Sequence, residues 1–111
     1  MNFLGNGYSP NMCIIPNMNI EQRELSLEQF EKESRGAISY IGHKDFAELL
    51  TKKMGREILY NRGNISLQPN NIFYYACING RRLKEGTTRL PKNSEVRYFR
   101  MKFTNPKEAI L

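Results

Sequence analysis

The single histidine of the chain, His43, is the side chain whose place in the sequence best suits chemistry. It follows Gly42 and opens a predicted helix that runs to about Met54, so it lies at a helix N-terminus. Unpaired N–H groups and the helix dipole favour an anion there, and an imidazole beside a bound phosphate can act as a general acid. Because a lone histidine is more often structural or merely exposed, His43 needs partners before it indicates a site.

Cationic side chains in the second half of the chain supply candidate partners. Segment 81–86 reads Arg-Arg-Leu-Lys-Glu-Gly, and the guanidinium of Arg82 can hold a phosphate through two parallel hydrogen bonds. Glu85, three residues on, is placed to orient that arginine or a ribose hydroxyl. Arg62, between an asparagine and a glycine, is a further isolated cation. Each feature alone also fits a solvated charged loop.

The numbers of histidine, cysteine, aspartate and glutamate residues disfavour a metal site. One histidine rules out a His-rich site, and a zinc site would need His43 to converge with Cys13, Cys77 and an acid. Asp45 is the only aspartate, and the ten glutamates are scattered, which disfavours a two-metal cluster. We therefore expect no metal and no cofactor. The two cysteines form no CxxC motif and read as free thiols in a reducing compartment.

The charge is unevenly distributed along the chain. The formal net charge is +6; residues 1–50 carry four basic and seven acidic side chains, and residues 51–111 carry thirteen and four. The basic half, at +9, favours a polyanionic partner such as nucleic acid, a nucleotide or phosphate. A solvated face that keeps the protein soluble explains the same charge equally well.

Two helices are predicted from local signals. Ser26 and Gln29 fit a capping box that starts the first helix, and Gly36 ends it. The second runs over about His43 to Met54, with apolar residues at helical spacing, and Gly55 suits the left-handed residue that follows.

Strands are predicted from apolar runs and from alternation. The segment Asn71–Ile78 is apolar on both faces and predicts a central strand, whereas Glu95–Phe103 alternates and predicts a half-buried one. A further strand is expected within Asn2–Ser9, and short ones at Ile58–Tyr60 and Ile65–Leu67. The pattern predicts an α/β (α+β) fold with helices packed on a mixed sheet of about five strands.

The length of 111 residues indicates one domain, taken as 1–111. No stretch approaches the roughly 18 apolar residues of a membrane span. Met1–Pro16 lacks the pattern of a secretory signal. We therefore expect a protein without membrane contact.

Several motifs, in order along the chain, resemble those of the viral anti-CRISPR ring nucleases. Ile38–His43 followed by Ala47–Leu50 resembles the family's "S-x-x-G-H, then T-A-x-L-L" helix start, and Asn61-Arg62 follows at the family's spacing. Segment 82–86 resembles its "R-L-P-E-G" loop. Four residues near the start of the chain resemble the family's "N-A-F-S-x-N-M" turn: Asn6, Ser9, Asn11 and Met12.

This resemblance implies a homodimer that binds cyclic tetra-adenylate, the second messenger of type III CRISPR defence, and cuts it without metal in the host cytoplasm. The products would be linear di-adenylates ending in a 2′,3′-cyclic phosphate. By position, His43 resembles the catalytic acid, and Arg82 with Glu85 the paired active-site residues. The residues that resemble ligand contacts are Asn6, Ser9, Gly42 and Arg62.

The chain departs from the family pattern in three places. Lys84 replaces a proline, Gly7-Tyr8 replaces Ala-Phe, and segment 13–34 has little that matches. A different ring size or base therefore stays open. The alternative function is a non-catalytic basic viral protein that sequesters a nucleic acid or cyclic nucleotide, or blocks a host complex. No RRM, KH or helix-turn-helix signature is present, so stable DNA binding is not expected.

Overall fold

The computed structural model describes residues 1–79, 86–87, 89–90 and 92–106. Within that part of the chain, no helix is both long and apolar enough to cross a membrane.

The first helix, α1, spans Leu27–Glu33 and begins with the predicted capping box. The Ser26 hydroxyl accepts from the Gln29 N–H at 3.1 Å, and the Gln29 side chain accepts from the Ser26 N–H at 3.1 Å. Two otherwise unpaired backbone donors are thereby satisfied. Gly36, at φ +83°, turns the chain away from the helix in a conformation that favours glycine.

The second helix, α2, spans Lys44–Met54, with His43 as its N-cap and Gly55 at φ +70° after its last residue. Both ends agree with the prediction. Its inner face carries the apolar residues that its spacing indicated, and all are buried: Phe46, Ala47, Leu49, Leu50 and Met54.

One mixed sheet of five strands completes the fold, as expected of an α+β protein. The strand order is β2-β5-β4-β1-β3. The central strand β4 is parallel to β1, which is also parallel to β3; β5 is antiparallel to β4 and β2. The strand bounds are Asn2–Gly5 (β1), Asn19–Leu25 (β2), Ile38–Tyr40 (β3), Ile72–Asn79 (β4) and Glu95–Thr104 (β5).

Two of the predicted strands are wrong. Ile58–Tyr60 and Ile65–Leu67 each make a single bridge, from Tyr60 to Ile41 and from Leu67 to Cys13. Apolar side chains in these segments fill the core from loops: Ile58 and Leu67 are buried, which explains the apolar pattern without a strand. A short apolar run indicates burial rather than the kind of backbone that achieves it.

The sheet instead obtains its other strands from β2 and β3, which the sequence did not predict. Six of the seven β2 side chains are exposed, so this edge strand has no apolar alternation to detect. The half-buried prediction for β5 is also wrong at Tyr98, which is buried because α1 covers that face and brings Phe30 to 4.9 Å between ring centroids.

An ionic cluster joins α1 to the segment after α2. The Glu31 carboxylate accepts from Arg35 at 2.7 and 2.9 Å and from Arg56 at 3.1 Å, and Arg56 also donates to the buried Ser34 hydroxyl at 2.8 Å. The hydrogen bonds from Arg35, followed by those from Arg56, lower the pKa of Glu31 from 4.5 to about 2. The ionised carboxylate is therefore the form that the folded state stabilises.

This cluster predicts how stability depends on pH. Because the folded-state pKa lies below the unfolded one, the contribution of Glu31 is complete above pH 4.5 and is lost as the pH falls toward 2. Glu31→Gln should weaken the protein at pH 6 and flatten its stability profile over the acid range. Urea unfolding midpoints between pH 6 and pH 3 measure this. Glu57→Gln, an exposed neighbour of Arg56, should keep the parent's slope, and an equal slope for Glu31→Gln would contradict the prediction.

Candidate active site

The carboxyl ends of three parallel strands face the same end of the sheet. β1 and β3 end level with each other, whereas β4 continues four residues past its last pair with β1. The segments that follow these strands are the turn that begins with Asn6, the segment Ile41–His43 that enters α2, and the connection that starts after Asn79. Ligands of sheets with parallel strands commonly bind outside the carboxyl ends of those strands.

His43 caps its own helix through its side chain. The ring Nδ1 accepts a hydrogen bond from the Phe46 N–H at 3.0 Å. A nitrogen that accepts from an N–H carries no proton, so the proton of the neutral ring lies on Nε2. Nε2 is therefore the ring nitrogen left to face a ligand, and His43 is half-buried rather than enclosed.

Asn6 ties the end of β1 to the residue before His43. Its Oδ1 accepts from the Gly42 N–H at 3.0 Å, across 36 positions of sequence. This bond uses the Gly42 amide and holds the entrance to α2 against the sheet edge. Asn6, which the sequence predicted as a ligand contact, is thus also a structural clamp of the site.

Arg62 is brought beside Gly42 by the residues on either side of it. Asn61 donates from its side chain to the Ser39 carbonyl and from its backbone to the Ile41 carbonyl, both at 2.9 Å. The stem of Arg62 then lies where a Cβ on Gly42 would be 3.9 Å from its Cγ. The sequence analysis did not identify Asn61 as a positioning residue. Its position directly before Arg62 was the one feature that could have indicated this role.

Gly63 completes this arrangement on the other side of Arg62. A Cβ on Gly63 would lie 3.0 Å from the nearest ring carbon of Tyr40, so the chain packs directly against this ring. The segment that carries Arg62 is therefore held by backbone packing as well as by Asn61.

Ser9 has a local structural role in the fold. It caps a short 3-10 helix, Pro10–Met12, where its hydroxyl accepts from the Asn11 N–H at 3.4 Å. Its own N–H donates to the Met12 sulfur at 3.2 Å. These bonds give Ser9, Asn11 and Met12 a structural role in a folded turn, and a ligand contact by Ser9 stays a prediction.

Arg82 and Glu85 lie outside the described residues. Gly86, which follows them in the chain, is described, and its N–H donates to the Asp45 Oδ2 at 2.6 Å. Asp45 belongs to the first turn of α2, two residues after His43. The described end of the connection after β4 is therefore attached beside His43, and Asp45 is a second residue that sequence reasoning missed.

Tyr8 lies in the same turn as Asn6 but does not suit proton abstraction. Burial, together with the contact of its hydroxyl with the Cys13 sulfur at 3.4 Å, raises the pKa of Tyr8 to about 12. The phenol therefore stays protonated at neutral pH.

Among the described residues, no three side chains of the types His, Cys, Asp and Glu are grouped closely enough to hold a metal ion. Cys13 and Cys77 are both free thiols.

The chain is similar to known viral proteins. A family model described as STIV B116-like matches residues 2–103. Among solved structures, B116 of Sulfolobus turreted icosahedral virus is similar, with a TM-score of 0.76 and 22% sequence identity, over 91% of this chain and 97% of that chain. This likeness shows a shared fold. Comparison with curated proteins gives no match.

Proposed function

The chain belongs to the STIV B116-like family of viral proteins, and from this premise we propose that it is a metal-independent ring nuclease that cleaves cyclic tetra-adenylate. The activity would counter type III CRISPR immunity in the host cytoplasm. The observation that carries the proposal is the gathering of three separate segments around His43: Asn6 bonds the residue before it, Arg62 lies beside that residue, and Gly86 bonds Asp45 two residues after it.

The reaction needs little from the protein because RNA carries its own nucleophile. The 2′-oxygen attacks the adjacent phosphorus as its hydroxyl proton passes to a carboxylate or to solvent, the bond from phosphorus to the 5′-oxygen breaks, and the leaving oxygen takes a proton. The product ends in a 2′,3′-cyclic phosphate. The protein must hold the attacking and leaving oxygens in line, stabilise the added charge on the phosphate and supply the proton.

His43 acts on the leaving oxygen through Nε2 in this proposal. In the resting form, Nε2 carries the proton of the neutral ring while Nδ1 caps the helix at Phe46. Full proton transfer requires a ring protonated at both nitrogens, and such a ring cannot accept the Phe46 N–H. Acid catalysis by His43 would therefore open its cap on protonation. Transfer of the Nε2 proton leaves the other proton on Nδ1, so the cap is restored only after exchange with solvent returns the ring to the Nε2–H tautomer.

The two arginines and Glu85 take the other roles. Arg62, exposed beside Gly42, can contact a phosphate bound at the start of α2. Arg82 would stabilise the developing phosphate charge, and Glu85 would align or assist the 2′-hydroxyl. The latter two roles rest on residue chemistry and on the family resemblance.

The deciding experiment is incubation of the purified protein with cyclic tri-, tetra- and hexa-adenylate in the presence of EDTA, followed by chromatography and mass spectrometry. Conversion of the tetra-adenylate to a linear product with a 2′,3′-cyclic phosphate would support the proposal. Activity that EDTA abolishes and magnesium restores would contradict the metal-free mechanism. Binding without cleavage would favour the non-catalytic binder instead.

The second part of the proposal is a symmetric homodimer that cuts each ring twice. A ring of four identical nucleotides has a two-fold axis, and two protomers about the same axis would each present His43 to one of two opposite phosphates. We expect two di-adenylates, with a linear tetranucleotide as intermediate. Light scattering and a time course by mass spectrometry check this. A monomer at working concentration, or mononucleotides as the main early product, would contradict it.

Gly42 offers a test of how closely the ligand approaches. Its φ is not in the left-handed region, and an added Cβ would meet Arg62 and Asn6 only at 3.9 Å, so the fold itself tolerates a methyl group here. Gly42→Ala should leave the protein as stable or stabilise it by about 0.4–1 kcal/mol. The Kd for cyclic tetra-adenylate should nevertheless rise about tenfold, equivalent to about 1.4 kcal/mol, because the methyl group fills the ligand's space.

The matched control is Gly7→Ala, in the neighbouring turn, where an added Cβ has no atom within 4 Å. It should change stability by a similarly small amount and leave the affinity unchanged. Calorimetric binding to a catalytically inactive background, with thermal melts of each variant, measures both. Unchanged affinity in Gly42→Ala would mean that the ligand does not approach this backbone.

A further inference from the structure

We infer that Asp45 is a positioning residue that ties the connection between β4 and β5 to the first turn of α2, an inference that rests on the proposed function. Its Oδ2 accepts from the Gly86 N–H at 2.6 Å, across 41 positions of sequence. The donor is a backbone group that directly follows the segment containing Arg82 and Glu85.

The chemistry of this contact makes it an effective tether. A carboxylate that accepts from a backbone N–H forms a charge-assisted hydrogen bond, shorter and stronger than one between neutral groups. Gly86 has φ +83°, a left-handed conformation that favours glycine. Asp45 is half-buried and belongs to a helix whose N-terminus is capped, so the acceptor is held in place as well.

The tether matters because of where the connection begins. β4 ends at Asn79, and seven residues later the chain arrives at Gly86. Seven residues span up to about 23–25 Å when extended. The end of β4 by itself therefore does not fix the position of Gly86. The hydrogen bond to Asp45 fixes Gly86 at the first turn of α2, next to His43.

A carboxylate here would otherwise oppose the proposed function. Asp45 places a negative charge in the first turn of the helix whose N-terminus is proposed to face phosphate. Its favourable interaction with the helix dipole is one alternative explanation for its presence. The two explanations differ in what an amide at position 45 should do: an amide oxygen accepts the Gly86 bond, but carries no charge to interact with the dipole or to repel phosphate.

The test compares Asp45→Ala with Asp45→Asn, with Glu48→Ala as the control that removes a charge from the exposed face of the same helix. Hydrogen exchange of the Gly86 amide, followed by NMR, reports the tether directly and independently of any activity. Single-turnover and steady-state cleavage of cyclic tetra-adenylate report its consequence. Thermal melts of each variant show that the fold persists.

We expect the Gly86 amide to be protected in the parent and in Asp45→Asn, and to exchange rapidly in Asp45→Ala. In Asp45→Ala, the proposed alignment of Arg82 and Glu85 with His43 should be lost. We expect kcat to fall by up to about 10²-fold while KM stays close to the parent value. Asp45→Asn should restore most of the rate, and Glu48→Ala should match the parent.

Three results would overturn the inference. They are an unprotected Gly86 amide in the parent, an unchanged kcat in Asp45→Ala despite loss of protection, and equal kcat values in the Asn and Ala variants. If the parent itself does not cleave the ring, the proposed function fails, and the exchange data still decide whether Asp45 holds Gly86.

Discussion

His43→Asn should fold like the parent and lose about 10²–10⁴ in cleavage rate, the range typical of removing a general acid. Asparagine is among the best N-cap residues, so its Oδ1 can replace Nδ1 as acceptor for the Phe46 N–H. Nothing in the new side chain replaces Nε2, the atom proposed to face the leaving oxygen. The substitution therefore separates the capping role of His43, which the structure shows, from the acid role that we propose for the same side chain.

His43→Ala is the informative comparison. It removes the cap as well and should lower the free energy of unfolding by about 0.5–2 kcal/mol, as other cap deletions do. Urea unfolding distinguishes the variants, and single-turnover cleavage should be equally low in both. Binding of the intact ring should persist in His43→Asn. A rate within a few fold of the parent would show that His43 is not the acid and would favour a function as a binder.

The largest expected effect on stability is that of Phe30→Ala. Phe30 is fully buried in α1, with its ring centroid 4.9 Å from that of Tyr98 and 6.1 Å, edge-on, from that of Tyr74. Replacing such a side chain with alanine typically destabilises a protein by about 3–5 kcal/mol. Small domains have about 5–15 kcal/mol in total, so much of the population should unfold near physiological temperature.

Ile20→Ala provides the control for that substitution. Ile20 is 42% exposed on β2, and a change there should stay within about 0.5 kcal/mol. Denaturant unfolding followed by circular dichroism measures both variants. A loss below about 1.5 kcal/mol for Phe30→Ala would contradict the packing of α1 on β4 and β5.

The resemblance to a viral family is confirmed by the match over residues 2–103, and the mixed five-stranded sheet with two helices is confirmed by the structure. The ring-nuclease activity, its ligand and its dimer stay predictions. Sequence motifs identify the family to which a chain belongs. Activity depends on the positions of a few atoms in the site, which a shared fold does not determine.

Local signals in the sequence determined both helices and their ends. The bonds of the capping box at Ser26 and of the cap at His43 each join residues three positions apart, and Gly55 needs only its own backbone freedom. Interactions between residues so close in the sequence do not depend on the tertiary fold. They can therefore be predicted from the sequence alone. The same holds for β4, whose continuous apolar run matches a strand covered on both faces.

Tertiary structure alone decided the edges of the sheet and the assembly of the site. β2 exists because it pairs with β5 along its whole length, and its exposed side chains carry no trace of that pairing. The contacts that gather the site, from Asn6 to Gly42, from Asn61 to Ser39 and from Asp45 to Gly86, span 36, 22 and 41 positions. Such polar contacts between residues far apart in the sequence leave no periodic pattern, because the path of the folded chain decides which residues meet.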